Sequence, residues 1–284
     1  MQSNERGQAV QKHTDVYDYL RHEKKFPLIW CAGCGNGIIL GSIIRAVDGL
    51  GLAKDDVAMV SGIGCSGRTS TYVDFNTLHT THGRALAFAT GLKHGRPELN
   101  VLVVMGDGDG LAIGGNHFIH AARRNIDLTA FIYNNNIYGM TGGQASPTTP
   151  LGKIASTATR GNIENTFDAC TLSAAAGASF VARGTTYDAD GLDELIRLAI
   201  QNKGFSMVEI MTPCPTIYGR YNRLGDAVSM LKAQYENTVT VDEAGKMSPE
   251  ELAGKIVTGV FVDERKPEFC DEYDKLVKLA QKKK

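Results

Sequence analysis

The sequence lacks any excess of charge. Lys and Arg total 30 against 31 Asp and Glu, leaving a formal net charge of −1 over 284 residues. Chains that hold nucleic acid or anionic bilayers through their charge carry a positive excess, so there is no electrostatic case for either partner. Also missing is any apolar run near the ~20 residues that a membrane helix needs. The opening stretch, MQSNERGQAVQKHTDVYDYLRHEKK, has no apolar core of the kind found in secretory signals, which leads to the expectation of a cytoplasmic protein. In a reducing compartment disulfides are the exception, so the six cysteines are expected as buried thiols, ligands or reactive groups. With 43% hydrophobic and 21% charged residues the chain is ordinarily globular, and its length suffices for a large core.

What is present is a strand–helix alternation. Apolar positions Ile38, Ile39, Ile43, Ile44 and Val47 recur at helical spacing after a Gly-rich turn. VAMVSGIGCSGR reads as a strand running into a turn at Cys65, and RALAFATGLKHG as a helix closed by Gly95 and Pro97. NVLVVMGD and LTAFIYNNN are unbroken apolar strands of the kind buried in parallel sheets. GDGDGLAIGG, read as a loop, and the helix NHFIHAARRN join them into a β-α-β unit over 100–136. A strand near 178–183, a helix near 190–202 and a strand near 206–212 continue the pattern. The expected fold class is α/β, a mainly parallel sheet with helices on both faces. Residues 1–26 are expected as a polar arm, 27–223 as the functional domain, and 224–284 as a C-terminal extension, partly helical with a frayed end.

The main functional signal is Gly106-Asp107-Gly108 after one strand and Asn134-Asn135-Asn136 after the next. Ligands of parallel α/β sheets sit beyond the carboxyl ends of the strands, so Asp107 and Asn135 are placed to converge. A carboxylate and an amide oxygen make a hard-oxygen site suited to Mg²⁺ or Ca²⁺, and Mg²⁺ completes its shell with phosphate oxygens and water. Gly106, Gly108 and Gly110 allow backbone N–H groups close to a phosphate, beside the positive end of a helix. A dinucleotide loop is disfavoured, because Leu111 stands where the third glycine belongs and Arg124, Asn125 and Ile126 occupy the neighbourhood of the ribose acid. A P-loop is excluded, since no Gly-Lys-Ser/Thr follows.

Cys31-x-x-Cys34 could bring two sulfurs to one centre, and Cys65 and Cys214 each follow a strand at the same sheet edge. Four thiolates from three loops suit a [4Fe-4S] cluster, whereas a zinc ribbon would show two close pairs. Spacing alone leaves a redox-active pair or plain thiols open. Cys170 and Cys270 read as plain thiols. His117 and His120 lack the His-Glu-x-x-His context of a metal helix and read as packing or capping residues.

Taken in order, Cys-Ala-Gly-Cys-Gly, Gly-Ile-Gly-Cys-Ser-Gly-Arg, Thr81-His82-Gly83-Arg84-Ala85, the Gly-Asp-Gly…Asn-Asn motif, Tyr138-Gly139-Met140-Thr141-Gly142-Gly143-Gln144 and Pro213-Cys214-Pro215 resemble the β subunits of 2-oxoacid:ferredoxin oxidoreductases over roughly 27–223. The resemblance implies a thiamine-diphosphate-binding fold of the pyrophosphate-domain type. It also implies Mg²⁺ held by Asp107, Asn135 and the carbonyl of Ile137. Gly106, Gly108, Asp109, Thr141, Gly142 and Ser66 are then expected near the cofactor. The cluster ligands fall on Cys31, Cys34, Cys65 and Cys214, and His82 and Arg84 on the substrate side. Implied too are coenzyme A as acyl acceptor, ferredoxin as electron acceptor and a 2-oxo acid as substrate, with motif wording closest to 2-oxoglutarate enzymes and pyruvate or branched-chain acids as alternatives. Direction is open: oxidative decarboxylation, or the reverse in CO₂ fixation. No glutamate lies in the motif segments to activate the aminopyrimidine, so an α (or α/γ) partner subunit is expected to supply it. An iron–sulfur electron carrier without thiamine, a cluster-free thiamine enzyme and a dinucleotide oxidoreductase remain the competing classes.

Overall fold

In the computed structural model, which describes residues 14–23 and 26–282, one eight-stranded sheet organises the chain. Its strands are β1 (Val57–Ser61), β2 (Asn76–His79), β3 (Asn100–Gly106), β4 (Thr129–Asn134), β5 (Phe180–Thr185), β6 (Ser206–Met211), β7 (Thr238–Thr240) and β8 (Ile256–Asp263). They lie in the order β2-β1-β3-β4-β6-β5-β8-β7, and every pairing is parallel except β5 with β8. The helices are α1 (Asn36–Gly49), α2 (Ala85–Gly95), α3 (Gly115–Arg124), α4 (Ala169–Ala176), α5 (Ala189–Gln201), α6 (Ala227–Asn237), the short α7 (Val241–Ala244) and α8 (Pro249–Leu252), and α9 (Phe269–Lys282).

The strands at the sheet centre are apolar on both faces because both faces are covered. Ile39, Ile43, Ile44 and Val47 of α1, with Leu192 and Ile196 of α5, pack on one face against Met59, Leu102, Val104, Phe131 and Val208. Leu86 and Ala89 of α2, Phe118 and Ala122 of α3, and Ala169 of α4 cover Val60, Val103, Ala130 and Met207 on the other. The mainly parallel α/β class expected from the alternation is borne out, and the β3–α3–β4 crossover puts the ends of two adjacent strands side by side.

GDGDGLAIGG, expected as a loop, is instead a helical turn over Gly108–Ile113, closed by a wide bond from the Gly114 N–H to the Asp109 carbonyl at 3.0 Å. Side-chain-free positions let the backbone wind up directly off the strand, so Asp107 (φ −53, ψ −50) already has helical geometry at the strand's end.

Residues 1–13, 24 and 25 of the expected arm lie outside the described residues. Within 14–23, Leu20 is buried and pairs with Val73, while Thr14 and Tyr19 both donate to the Asp48 carboxylate at 2.7 Å. Beyond residue 224 the chain adds β7 and β8 to the main sheet. The β8 signal was weak because IVTGVFVD has no fully buried position, only five half-buried residues and a partly exposed end. Among the described residues no helix is long and apolar enough to cross a membrane.

Candidate functional site

A cavity opens at the carboxyl ends of β1, β3 and β4. Its walls include Ser66, His82, Gly106, Asp107, Gly108, Asp109, Asn135, Ile137 and Thr141, all singled out from the sequence, together with Asn36, Cys65, Tyr133 and Tyr138. Two expected residues stand apart from the lining. Gly142 follows Thr141 in a turn at φ 110. Arg84 is exposed, and its guanidinium donates to the carbonyls of Gly83 and Ile113 at 3.2 Å.

Asp107 is 3% exposed, and its Oδ2 has the hydroxyls of Ser146 and Thr148 at 2.6 Å each. Burial pushes its carboxyl up to about 6 against the pull of those hydroxyls, because removal from water disfavours the charged form. A cation bound at that oxygen would replace the missing solvation. Asn135 comes from the turn after β4, where the Asn136 N–H donates to Asn134 Oδ1 (3.0 Å) and the Ile137 N–H to Asn135 Oδ1 (3.2 Å). Asn136 takes the left-handed conformation (φ 62) that this turn requires and that asparagine tolerates.

Asp109 points the other way. Its Oδ1 accepts from the Gly83 N–H at 2.7 Å, and His82 Nδ1 lies 2.7 Å from the same oxygen. Burial raises the Asp109 carboxyl, with the Gly83 amide and His82 opposing. Asp109 thus anchors the His82 loop to the turn after β3. The buried atoms Asn36 Oδ1 and Asp109 Oδ2 have no hydrogen-bond partner among the described residues, and both residues line the cavity. Buried polar atoms are normally satisfied, so a ligand with donors and acceptors of its own fits this wall.

The cysteines assemble at the same edge. Cys31 and Cys34 sit on one turn, closed by the Cys34 N–H on the Cys31 carbonyl at 3.0 Å, and Trp30 Nε1 ties it to the Cys65 carbonyl at 2.7 Å. Gly35 lets this turn reach the Cys214 loop, since a Cβ there would come within 2.3 Å of Thr212 Oγ1. A Cβ on Gly139 would lie 3.7 Å from Cys214 Sγ and 3.8 Å from Cys65 Sγ, so these two sulfurs flank that glycine. Burial pushes the Cys34 thiol up to about 12; the Asn36 N–H opposes, and the sulfurs of Cys65, Cys214 and Cys31 add to the rise. Cys65 is raised by burial and then by Cys214 and Cys31. The four sulfurs therefore feel one another. Among the described residues, no three or more His, Cys, Asp or Glu side chains are grouped tightly enough to grip one ion. Four thiolates drawn from three separate turns have the donor chemistry of a [4Fe-4S] cluster. Cys170 and Cys270 are buried elsewhere, Cys170 beneath Glu209.

Several residues escaped the sequence reading. Ser146 and Thr148 lie in a Ser-Pro-Thr-Thr-Pro loop with no motif signal. Tyr138, quoted from the sequence as part of a motif but given no role, donates its hydroxyl to the Gly108 carbonyl at 2.9 Å and caps the turn. Glu209 did carry a signal, being the lone acid in the buried strand SMVEIM.

A family profile described as "Thiamine pyrophosphate enzyme, C-terminal TPP binding domain" matches residues 62–210. The 2-oxoglutarate synthase subunit KorB of Methanocaldococcus jannaschii is 52% identical over 259 residues, which cover 91% of this chain and 96% of the relative. The subunit of the same name from Archaeoglobus fulgidus is 52% identical over 269 residues, 93% of this chain and 95% of its own. A solved structure of the 2-oxoglutarate:ferredoxin oxidoreductase from Magnetococcus marinus, with 2-oxoglutarate, coenzyme A and succinyl-CoA bound, superposes with a TM-score of 0.84 at 33% identity, covering 95% of this chain and 92% of that one. The chain belongs to the thiamine pyrophosphate enzymes and, within them, to the β subunits of 2-oxoacid:ferredoxin oxidoreductases.

Proposed function

We propose that this chain is the thiamine diphosphate subunit of a 2-oxoglutarate:ferredoxin oxidoreductase, an oxidoreductase that works with partner subunits. The observation that carries the reading is the cavity where Asp107 and Asn135, from the ends of adjacent strands, face one space beside four cysteines. Asp107, Asn135 and the Ile137 carbonyl would hold Mg²⁺, and Gly106, Gly108, Asp109, Ser66, Thr141 and Gly142 would surround the diphosphate. When bound, the thiamine ring would supply the electron sink for loss of CO₂ from the 2-oxo acid. The chain's own part is to bind, orient and exclude water: Tyr138 fixes the turn that carries Gly108, and Asp109 holds His82 at the cavity wall.

Cys31, Cys34, Cys65 and Cys214 would hold one [4Fe-4S] cluster, a one-electron acceptor beside the thiamine that passes electrons on to ferredoxin. His82 would contact substrate or cofactor. Arg84 meets the Gly83 and Ile113 carbonyls through Nη1 alone, so the rest of its guanidinium could meet an incoming anion with those bonds intact. Among the described residues no glutamate lines the cavity, which supports an activating glutamate from the partner. The names of the relatives favour 2-oxoglutarate and coenzyme A over pyruvate or branched-chain acids, and the thiamine family match disfavours a bare iron–sulfur carrier. We place the reaction in the cytoplasm and leave both directions, oxidation and CO₂ fixation, to the ferredoxin that serves it.

The test is anaerobic purification of the assembled complex with iron, sulfide and thiamine quantified, followed by rates with each 2-oxo acid, coenzyme A and a viologen acceptor. One thiamine and one four-iron cluster per chain, with 2-oxoglutarate the fastest substrate, is the expected result. A colourless protein, or one free of thiamine, would refute the corresponding half.

A further inference from the structure

Glu209 sits within β6 at 1% exposure, the lone charged residue of a buried strand. Placing a carboxylate there is costly unless its charge and lone pairs are met. Both oxygens are engaged. Oε2 accepts from Arg183 Nε at 2.6 Å, across the β5–β6 pairing, and Oε1 accepts from Asn134 Nδ2 at 2.7 Å, across the β4–β6 pairing. Arg183 is braced in turn by Asp168 at 2.7 Å.

Asn134 is where this pair reaches the site. Its Oδ1 takes the Asn136 N–H at 3.0 Å and lies 2.9 Å from the Thr148 hydroxyl, which also stands 2.6 Å from Asp107 Oδ2. A backbone N–H can only donate and a carboxylate can only accept. Glu209 therefore dictates which end of the Asn134 carboxamide faces the cavity. With the oxygen there, the turn presenting Asn135 closes and Thr148 stands between Asn134 and Asp107. With the amide reversed, an NH₂ would meet the Asn136 N–H and open that turn.

We propose that Glu209, held by Arg183, is a positioning residue for the cation–diphosphate site: by fixing the Asn134 carboxamide it sets the turn that presents Asn135. This rests on the reading of Asp107 and Asn135 as cation ligands. Glu209→Gln sharpens the point. Glutamine has one acceptor oxygen where Arg183 and Asn134 each demand one. If Arg183 takes it, the new NH₂ faces Asn134 and reverses it.

The test uses the complex assembled with its partner subunits, stripped with a chelator and titrated with thiamine diphosphate at several Mg²⁺ concentrations by calorimetry. Glu209→Gln is expected to weaken metal-dependent binding about tenfold or more and to raise the Mg²⁺ needed for half-saturation. The control is Lys93→Met, which breaks another buried ion pair (Lys93 with Asp127, 2.6 Å) far from the site. It is expected to lower the melting temperature comparably while holding affinity within about threefold. Wild-type affinity in Glu209→Gln overturns the proposal. Should Glu209→Gln not fold, Asn134→Ala decides, because Glu209 acts through that carboxamide: weakened metal-dependent binding supports the proposal, and wild-type binding overturns it. Asp107→Asn separates the two levels, since undiminished binding there refutes the cation-ligand reading itself.

Discussion

Tyr138 closes over Gly108. Its hydroxyl donates to the Gly108 carbonyl at 2.9 Å, and a Cβ at position 108 would fall 2.2 Å from Cζ of its ring. The glycine of Gly-Asp-Gly is thus required by the aromatic ring that packs over it. Gly108→Ala should push the ring outward, cost about 1–3 kcal/mol by overpacking and weaken thiamine diphosphate binding. The double variant Gly108→Ala/Tyr138→Ala should recover part of the lost stability, which thermal unfolding of both proteins checks.

Asp107 gives a pH signature. Its folded-state value of about 6 lies above the ordinary 3.8, so the folded chain binds more protons than the unfolded one between those values. The stabilisation from this group is complete below about 4 and is lost as pH rises through about 6, on the order of 3 kcal/mol in all. The cofactor-free protein should therefore lose stability from this group as pH climbs from 4 to 7, and Asp107→Asn should flatten that slope in denaturant titrations across the range. Mg²⁺-dependent cofactor binding should run oppositely, weakening below about pH 6 as the proton competes for the ligand oxygen.

The sulfurs of Cys65 and Cys214 flank Gly139, while Cys170 is walled off beneath Glu209. Cys65→Ser or Cys214→Ser should strip iron and acid-labile sulfide from the anaerobically purified complex. Cys170→Ala should leave both at wild-type levels, and equal iron loss in all three variants would contradict the assignment.

His82 is held by a buried carboxylate at the cavity wall but is itself only partly buried. His82→Ala should leave thiamine diphosphate affinity within about threefold and cut turnover about 10²-fold, the usual scale for losing a positioned proton donor or acceptor. Steady-state rates alongside a binding titration distinguish this from a structural loss, which would move both together.

The sequence made the parallel core legible because apolar strands such as VLVVM and TAFIY admit one environment, a sheet covered on both sides. It also exposed Asp107 and Asn135, since each follows such a strand and the β-α-β rule puts those ends side by side. The helical turn at Gly108–Ile113 was hidden because glycines permit any backbone path, and only the packing of Ile132 and Tyr138 against it selects one. Ser146 and Thr148 were invisible for a different reason. They reach Asp107 across 39 and 41 residues of chain through a loop with no periodicity. β8 pairs antiparallel at the far side of β5 and has no fully buried position, so its pattern resembled a polar extension.

Titration of the chelator-stripped complex with thiamine diphosphate, with and without Mg²⁺, most directly tests the cation proposed to be held by Asp107 and Asn135. The expected result is one site per chain that requires the metal and is weakened about a hundredfold or more in Asp107→Ala and Asn135→Ala. Binding that ignores the metal, or that survives both substitutions at wild-type strength, would contradict it.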